Sequence, residues 1–167
     1  MLTQRQSVTG TRAIVSTLEE VQAAALQVAT QATRLLTMFT PDLEHLVYDQ
    51  NNFLEAVKRL VLARSYAKVR VLISDPGRTV YELSKFIHLA RRITSHIEVR
   101  HVHVDYRDNA SAYLIADDRA ILYRLQASRW DGIVDMNDMA VARRYLDHFN
   151  EVWVASEPAR EMRELRL

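Results

Sequence analysis

The sequence predicts an α/β fold in which helices cover both faces of a mixed, largely parallel sheet. Helical and strand-like periods alternate along the first part of the chain, which is typical of parallel strands joined by crossover helices. Two short apolar segments separated by a polar turn come later, and they indicate an antiparallel hairpin at one edge. With 167 residues, of which 49% are hydrophobic, the chain is long enough to bury such a core as one domain.

The regular structure is expected to begin with a helix and a buried strand. Thr17 and Glu20 have the spacing of a capping box, and apolar residues then recur at helical intervals. This pattern predicts a helix over about 18–33. The apolar segment 35–40 contains β-branched and aromatic residues and stops at Pro41, so we expect a short buried strand there.

The next part of the chain repeats this order of helix and strand. A loop is predicted over about 41–52, and apolar residues at helical spacing from Phe53 onwards indicate the second helix. Alternating apolar residues predict a strand over 69–73. A turn signal at Asp75–Gly77 and helical spacing between residues 80 and 93 then predict a third helix.

Strands are expected to dominate the following segment. Apolar residues over 97–104 change phase near Arg100, which indicates a bulge or the end of a strand. The segments 112–116 and 120–125 are separated by a polar turn and predict the antiparallel hairpin. A final amphipathic helix stops near Ser156.

The chain is predicted to form one domain with a short extension at each end. Asp135 or Asn137 is expected to cap the final helix. We assign residues 17–158 to a single α/β domain, 1–16 to an N-terminal extension and 159–167 to a charged C-terminal tail.

Composition excludes several function classes. Lys and Arg number 22 against 21 Asp and Glu, so a nucleic acid or a membrane would have to be met by a local patch. The chain has no cysteine, which excludes a disulfide framework, a thiolate metal site and a cysteine nucleophile. With three glycines and no glycine-rich phosphate loop, we expect no cofactor.

No apolar run reaches the roughly 18 residues of a membrane span and no secretory signal is present, so we expect a soluble, cytoplasmic protein.

Four segments carry a resemblance to a known superfamily. They are Leu54–Lys58, Val69–Asp75, Tyr113–Arg119 and Phe149–Trp153. Their order resembles one half-unit of the phospholipase D superfamily, and more closely an uncharacterised bacterial family of phospholipase-D-like domains. The resemblance covers about residues 34–158 and implies a phospholipase-D-like half-unit fold.

Active members of that superfamily carry a His-x-Lys-x-x-x-x-Asp signature, in which the His attacks phosphorus and the Lys neutralises phosphate oxygen. When its Asp is placed on Asp117, Ala110 and Ala112 stand at the His and Lys positions. The resemblance therefore supports the fold and argues against the activity. A slip of one residue places Asn109 and Ser111 there, which can hydrogen-bond a ligand but cannot form a phosphohistidine.

We therefore expect a non-catalytic binding or accessory domain that holds a partner protein or a phosphate-bearing ligand such as nucleic acid. The candidate ligand-binding residues are Asn109, Ser111, Asp117, Arg129 and Trp130. Arg129 can hold an anion, and Trp130 can stack on a base or plug the end of the sheet. Asp117 is also explained as a polar turn residue. Because two half-units usually share one site in the superfamily, the resemblance also implies a homodimer formed through the face near Asp117.

The enzyme alternative is a metal-assisted hydrolase that uses His101, His103 and Asp105. Alternate residues of a strand point to one face, roughly 6.6 Å apart along the chain, and imidazole and carboxylate groups suit zinc, iron or nickel. Against this stands the simpler interpretation that three polar residues at a strand end are solvated. No helical zinc motif supplies a further ligand.

Overall fold

A computed structural model describes residues 11–77 and 84–159. The helices are α1 (Leu18–Gln31), α2 (His45–Tyr48), α3 (Asn51–Ala63), α4 (Lys85–Arg92) and α5 (Met139–Ala155). The strands are β1 (Ala13–Val15), β2 (Leu35–Thr40), β3 (Lys68–Ile73), β4 (Ile97–His101), β5 (Ala112–Ala116), β6 (Ala120–Arg124), β7 (Gly132–Asp135) and β8 (Glu157–Pro158). A short 3₁₀ turn spans Val104–Tyr106.

The strands form one mixed sheet in the order β1-β7-β6-β5-β2-β3-β4-β8. The pairs β2–β3 and β3–β4 are parallel, as expected for strands joined by crossover helices. The remaining pairs are antiparallel. The parallel part is confined to β2, β3 and β4, so the sheet is not largely parallel as the sequence predicted. The hairpin β5–β6 joins β2 with an antiparallel pair, and β1, β7 and β8, which are too short to show a period in the sequence, add further antiparallel pairs. The mixed sheet with helices on both faces is confirmed.

Two apolar clusters lie on opposite faces of the sheet. Neighbouring residues such as Met38 and Phe39 belong to different clusters, because successive side chains of a strand point to opposite faces. The larger cluster packs under α1, α3 and α4, and the smaller one packs under α5. Both faces of the central strands are therefore covered, which explains their nearly continuous apolar sequence.

The helix starts follow their capping residues. Thr17 Oγ1 accepts a hydrogen bond from the Glu20 amide at 3.1 Å, and the Glu20 carboxylate accepts from the Thr17 amide at 3.2 Å, so the predicted capping box is confirmed. The predicted caps of the final helix, Asp135 and Asn137, were wrong: its N-cap is Asp138, whose carboxylate accepts from the Val141 amide at 3.1 Å. Ser84 caps α4, and the earlier residues assigned to that helix by sequence, 80–83, lie outside the described residues.

The phase change predicted near Arg100 marks the end of a strand. β4 stops at His101, and the chain then enters the 3₁₀ turn. No described helix is both long and apolar enough to cross a membrane.

Candidate functional site

A groove runs along the edge of the sheet at which β2 and β3 end. The chain also enters β5 and leaves β6 at this edge, since both strands belong to the hairpin next to β2. At this open end of the hairpin, the segments that flank its two strands are joined by a hydrogen bond: the amide of Ala127 donates to the carbonyl oxygen of Ala110 at 2.7 Å. Ligands of open α/β sheets commonly bind at the carboxyl ends of the parallel strands, so this groove is the candidate site.

Two adjoining cavities form the groove, and both are lined by Pro41 and Ala110. The first, which we call the arginine pocket, has a volume of about 480 Å³. Its lining residues are Pro41, Ser74, Asp75, Pro76, Gly77, Arg107, Asn109 and Ala110. The second, which we call the tryptophan pocket, has a volume of about 380 Å³. Its lining residues are Pro41, Asp42, Glu44, His45, Leu46, Ala110, Ala127, Ser128 and Trp130.

Arg107 supplies the positive charge of the arginine pocket. It follows the 3₁₀ turn, and its Nε donates to the carbonyl oxygen of Val102 at 2.9 Å, which fixes the side chain against the end of β4. Asp75 stands in the same pocket, so the net charge there is small. The pocket can accept one phosphate group through a guanidinium, but it is not a strongly basic channel.

A buried ion pair lies beneath the tryptophan pocket. Arg124 ends β6 and pairs with Glu44, and their side chains are 2% and 8% exposed. Arg124 Nη1 also donates to the carbonyl oxygens of Ala127 and Arg129 at 2.9 and 2.8 Å. Its guanidinium carbon lies 5.3 Å from the centre of the Trp130 ring. Arg124 thus ties the loop after β6 to the loop after β2 and holds the indole in place.

The loop after β2 has an unusual backbone conformation at the residues that place Glu44 beside Arg124. Leu43 and Glu44 both have positive φ angles, 67° and 26°, which side-chain-bearing residues rarely adopt. Thr40 Oγ1 accepts from the Leu43 amide at 3.1 Å, and Asp42 Oδ1 accepts from the Glu44 amide at 3.0 Å. Burial raises the pKa of Glu44, and the Arg124 charge opposes that rise. Burial, and then the Glu44 charge, raise the pKa of Tyr48 beside it.

A hydrogen-bonded chain connects the arginine pocket to α5. Asn109 Oδ1 accepts from the Ser111 amide at 2.9 Å and from the Ser111 hydroxyl at 2.6 Å. The Asn109 side-chain amide lies 3.2 Å from His148 Nε2, and His148 Nδ1 lies 2.8 Å from the Tyr113 hydroxyl. Burial lowers the pKa of His148, so its neutral form accepts from Asn109 and donates to Tyr113.

A sequence profile of DUF7931, described as a domain of unknown function, matches residues 17–165. The chain belongs to this family. No curated protein matches it by sequence.

Solved structures similar to this DUF7931 domain include a phospholipase D family member. TrmBL2, an archaeal chromatin protein, superposes with a TM-score of 0.65 at 15% identity over 95% of this chain and 60% of its own. Nuc, a phospholipase D family member from Salmonella typhimurium, has a TM-score of 0.60 at 15% identity, covering 89% and 97% of the two chains. NucT from Helicobacter pylori has a TM-score of 0.62 at 8% identity, covering 89% and 98%. The domain therefore spans nearly all of Nuc and NucT but less than two thirds of TrmBL2. The phospholipase-D-like fold predicted from sequence is confirmed.

Two of the candidate ligand-binding residues singled out by sequence line the DUF7931 groove. Asn109 lines the arginine pocket and Trp130 lines the tryptophan pocket. Ser111 lines neither pocket and contacts the groove only indirectly, through its hydrogen bonds to Asn109. Arg129 points elsewhere: its side chain is 69% exposed and pairs with Asp131 at 2.9 Å, beside a separate apolar cleft.

Asp117 lies at the other end of the β5–β6 hairpin, away from the groove. Its carboxylate accepts from the amides of Arg34 and Leu35 at 2.8 and 3.0 Å, and from the amide and hydroxyl of Thr33 at 3.1 Å. Asp117 also has a positive φ of 56°, which a short polar side chain tolerates better than others. These contacts give it a structural role, since they satisfy the amides that lead into β2.

The residues of the metal alternative are not gathered into a ligand set. Within residues 11–77 and 84–159, no group of three His, Asp or Glu side chains could hold a metal ion. His103 Nδ1 accepts from the Asp105 amide at 3.1 Å, which makes it the cap of the 3₁₀ turn. The structure therefore provides no support for metal-assisted hydrolysis at this cluster.

Sequence analysis missed Glu44, Arg107 and Arg124. Glu44 and Arg124 are 80 residues apart, so their pairing has no local signal. The one available sign of the pair was Arg124, a charged residue inside the apolar run 120–125, because a buried arginine is almost always paired.

Proposed function

We propose that this DUF7931 domain is a non-catalytic phospholipase-D-like domain that binds a phosphate-bearing ligand, namely nucleic acid, in the groove. The observation that carries the proposal is the arginine pocket. There Arg107, fixed by its bond to the Val102 carbonyl, and the side chain of Asn109 line a cavity at the carboxyl edge of the sheet. Guanidinium and amide groups are donors that phosphate oxygens accept from.

The absence of catalysis is inferred from the residues at the centre of the groove. In the register that the superfamily resemblance implies, Ala110 and Ala112 replace the catalytic His and Lys. Ala110 lines both pockets, and Ala112 is 2% exposed within β5. A methyl group can neither attack phosphorus nor neutralise an oxyanion, so a bound phosphodiester would not be cleaved by this route.

The fold neighbours support the choice of nucleic acid. TrmBL2 is described as showing a novel mode of DNA binding. The near-neutral chain and the Asp75 carboxylate in the arginine pocket indicate modest affinity and few phosphate contacts.

The test is fluorescence anisotropy of labelled DNA at low and near-physiological salt. We expect binding that weakens with salt and that Arg107→Ala reduces at least tenfold. Arg129→Ala is the matched control, because it removes the same charge from a site outside the groove. An equal loss of affinity in both variants would show that binding depends on the overall charge of the chain and not on the groove. A loss of affinity in Arg129→Ala alone would show that the binding site lies outside the groove. Absence of binding at low salt would refute the function.

A second candidate function, binding of a protein partner, is favoured by a separate apolar cleft. This cleft has a volume of about 380 Å³ and includes Ile14, Tyr123, Leu125 and Ile133. Ile14 and Leu125 are 78% and 72% exposed, which is unusual for neighbouring large apolar side chains. A second copy of the chain is one such partner, although the cleft lies away from the Asp117 face that the sequence analysis assigned to a homodimer.

Sedimentation velocity over a range of concentrations tests this candidate. We expect association that Leu125→Asp abolishes. A monomer at every concentration would exclude a second copy as the occupant.

A further inference from the structure

We infer that the tryptophan pocket takes a nucleobase, so that the groove binds single-stranded in preference to duplex nucleic acid. The inference rests on the proposed function and specifies how the ligand is seated. Four features of the groove carry it: the character of the two pockets, their common wall, the charges around them and the rigid mounting of Trp130.

The tryptophan pocket offers an aromatic surface and an apolar lining. Pro41, Leu46, Ala110 and Ala127 contribute its apolar walls, and Trp130 closes one side. The Ser128 hydroxyl adds a hydrogen-bonding group. At about 380 Å³ the cavity is within the range of small-ligand pockets, roughly 300–1,000 Å³. Every base has a π face that can stack on an indole, whatever the sequence.

The two pockets lie side by side, as the base and the phosphate of one nucleotide do. They share Pro41 and Ala110, so the two cavities adjoin and one ligand can contact both. The arginine pocket supplies a guanidinium and an amide for the phosphate. The position of Ala110 between them leaves room for a sugar, because its methyl group is the smallest side chain that a non-glycine residue can present.

Charge decides which part of the nucleotide enters which pocket. The tryptophan pocket contains Asp42 and, beneath it, the buried Glu44, so a phosphate would meet carboxylates there. The other pocket contains Arg107 together with one carboxylate, Asp75, so it is the less acidic of the two. A neutral base is therefore favoured beside Trp130 and the phosphate beside Arg107.

Trp130 is held in position before any ligand arrives. Arg124 lies 5.3 Å from the ring centre and does not line the pocket, whereas the indole does. Arg124 also fixes the Ala127 and Arg129 carbonyls on both sides of the loop. A preformed stacking surface reduces the entropy lost on binding. Because bases in a duplex are stacked and paired, only an unpaired base can reach this surface.

The experiment compares three labelled probes that bind the purified chain: a fifteen-nucleotide thymidine single strand, an abasic strand with the same number of phosphates, and a duplex of the same length. We expect the thymidine strand to bind at least tenfold more tightly than either of the others. In Trp130→Ala, the thymidine and abasic strands should bind equally, and Trp130→Phe should keep part of the difference. Trp153→Phe is the matched control on the opposite face, where Trp153 stacks on Phe149.

The outcomes separate the inference from the proposed function. If the abasic strand binds as tightly as the thymidine strand, and Arg107→Ala weakens both, phosphate binding stands and the nucleobase pocket is refuted. Tighter binding of the duplex refutes it as well. If no probe binds at low salt, both proposals fail. Because the probe comparison uses the unmodified chain, it remains decisive even if Trp130→Ala does not fold.

Discussion

Replacement of Arg124 by methionine should destabilise the domain strongly at pH 8 and much less at pH 5. The substitution leaves Glu44, whose side chain is 8% exposed, without its counter-charge. Breaking a buried pair in this way costs about 3–5 kcal/mol. Burial already raises the pKa of Glu44, and loss of the opposing Arg124 charge should raise it further. A carboxyl group whose pKa is raised on folding destabilises the fold above that pKa, and the penalty disappears as pH falls towards its ordinary value of 4.5.

The reciprocal variant Glu44→Gln should behave differently. It leaves a guanidinium that is 2% exposed without its carboxylate partner. Because the substitution also removes a carboxyl group whose pKa is raised on folding, its deficit relative to the wild type should be larger at pH 5 than at pH 8. The double variant Glu44→Leu with Arg124→Met removes both charges and should recover most of the lost stability.

Urea unfolding followed by tryptophan fluorescence measures all three variants against the wild type at each pH. The reasoning is refuted if Arg124→Met loses less than about 1 kcal/mol at pH 8, which is the upper end of the usual range for an exposed pair. It is also refuted if the deficit of Arg124→Met does not shrink at pH 5, or if the double variant is as unstable as the sum of the single ones.

Three further predictions concern other parts of the domain. Asp117→Ala should lower the free energy of unfolding by about 2 kcal/mol because several donors lose their acceptor, whereas Asp117→Asn, which tolerates a positive φ, should lose less; urea unfolding compares them. Because burial lowers the pKa of His148, the unfolded chain takes up this proton more readily and stability should fall as pH drops below 6.5; His148→Gln should flatten that part of a melting-temperature profile, and an unchanged profile would contradict the assignment. Gly132→Ala should destabilise by about 1–3 kcal/mol, since an added Cβ would lie 2.6 Å from the Tyr123 carbonyl oxygen, while Gly77→Ala, with its nearest neighbour at 3.7 Å, should be nearly neutral by thermal unfolding.

The elements with strong periodicity could be predicted from sequence. The segments 35–40 and 112–116 coincide with β2 and β5, and α1 begins at the residue after its predicted cap. β1, β7 and β8 were missed, because strands of two to four residues contain too few alternations to show a period. Their pairing is a tertiary effect: each is a strand because a neighbouring edge supplies hydrogen-bonding partners.

The groove was predicted only in part. Asn109 was singled out through the superfamily signature shifted by one residue, and Trp130 because a large aromatic residue in a loop usually contacts a ligand or packs on the core. The Glu44–Arg124 pair did not, because Glu44 looked like an ordinary loop residue and nothing local connects it to the arginine inside the apolar run 120–125. Only the topology, which places β6 two strands from β2, shows that the loops after these strands meet.

The positions of β1 and β8 also determine how the domain would respond to a pull on its two ends. These strands form opposite edges of the eight-stranded sheet, roughly 34 Å apart at about 4.8 Å per strand. Tension between them acts across the strands, so it unzips hydrogen bonds one after another instead of shearing a whole ladder at once. The edge ladders have three and two residue pairs, against six between β2 and β3. Under tension the edge strands β1 and β8 should therefore detach first, and the six inner strands, which position the groove, should stay together.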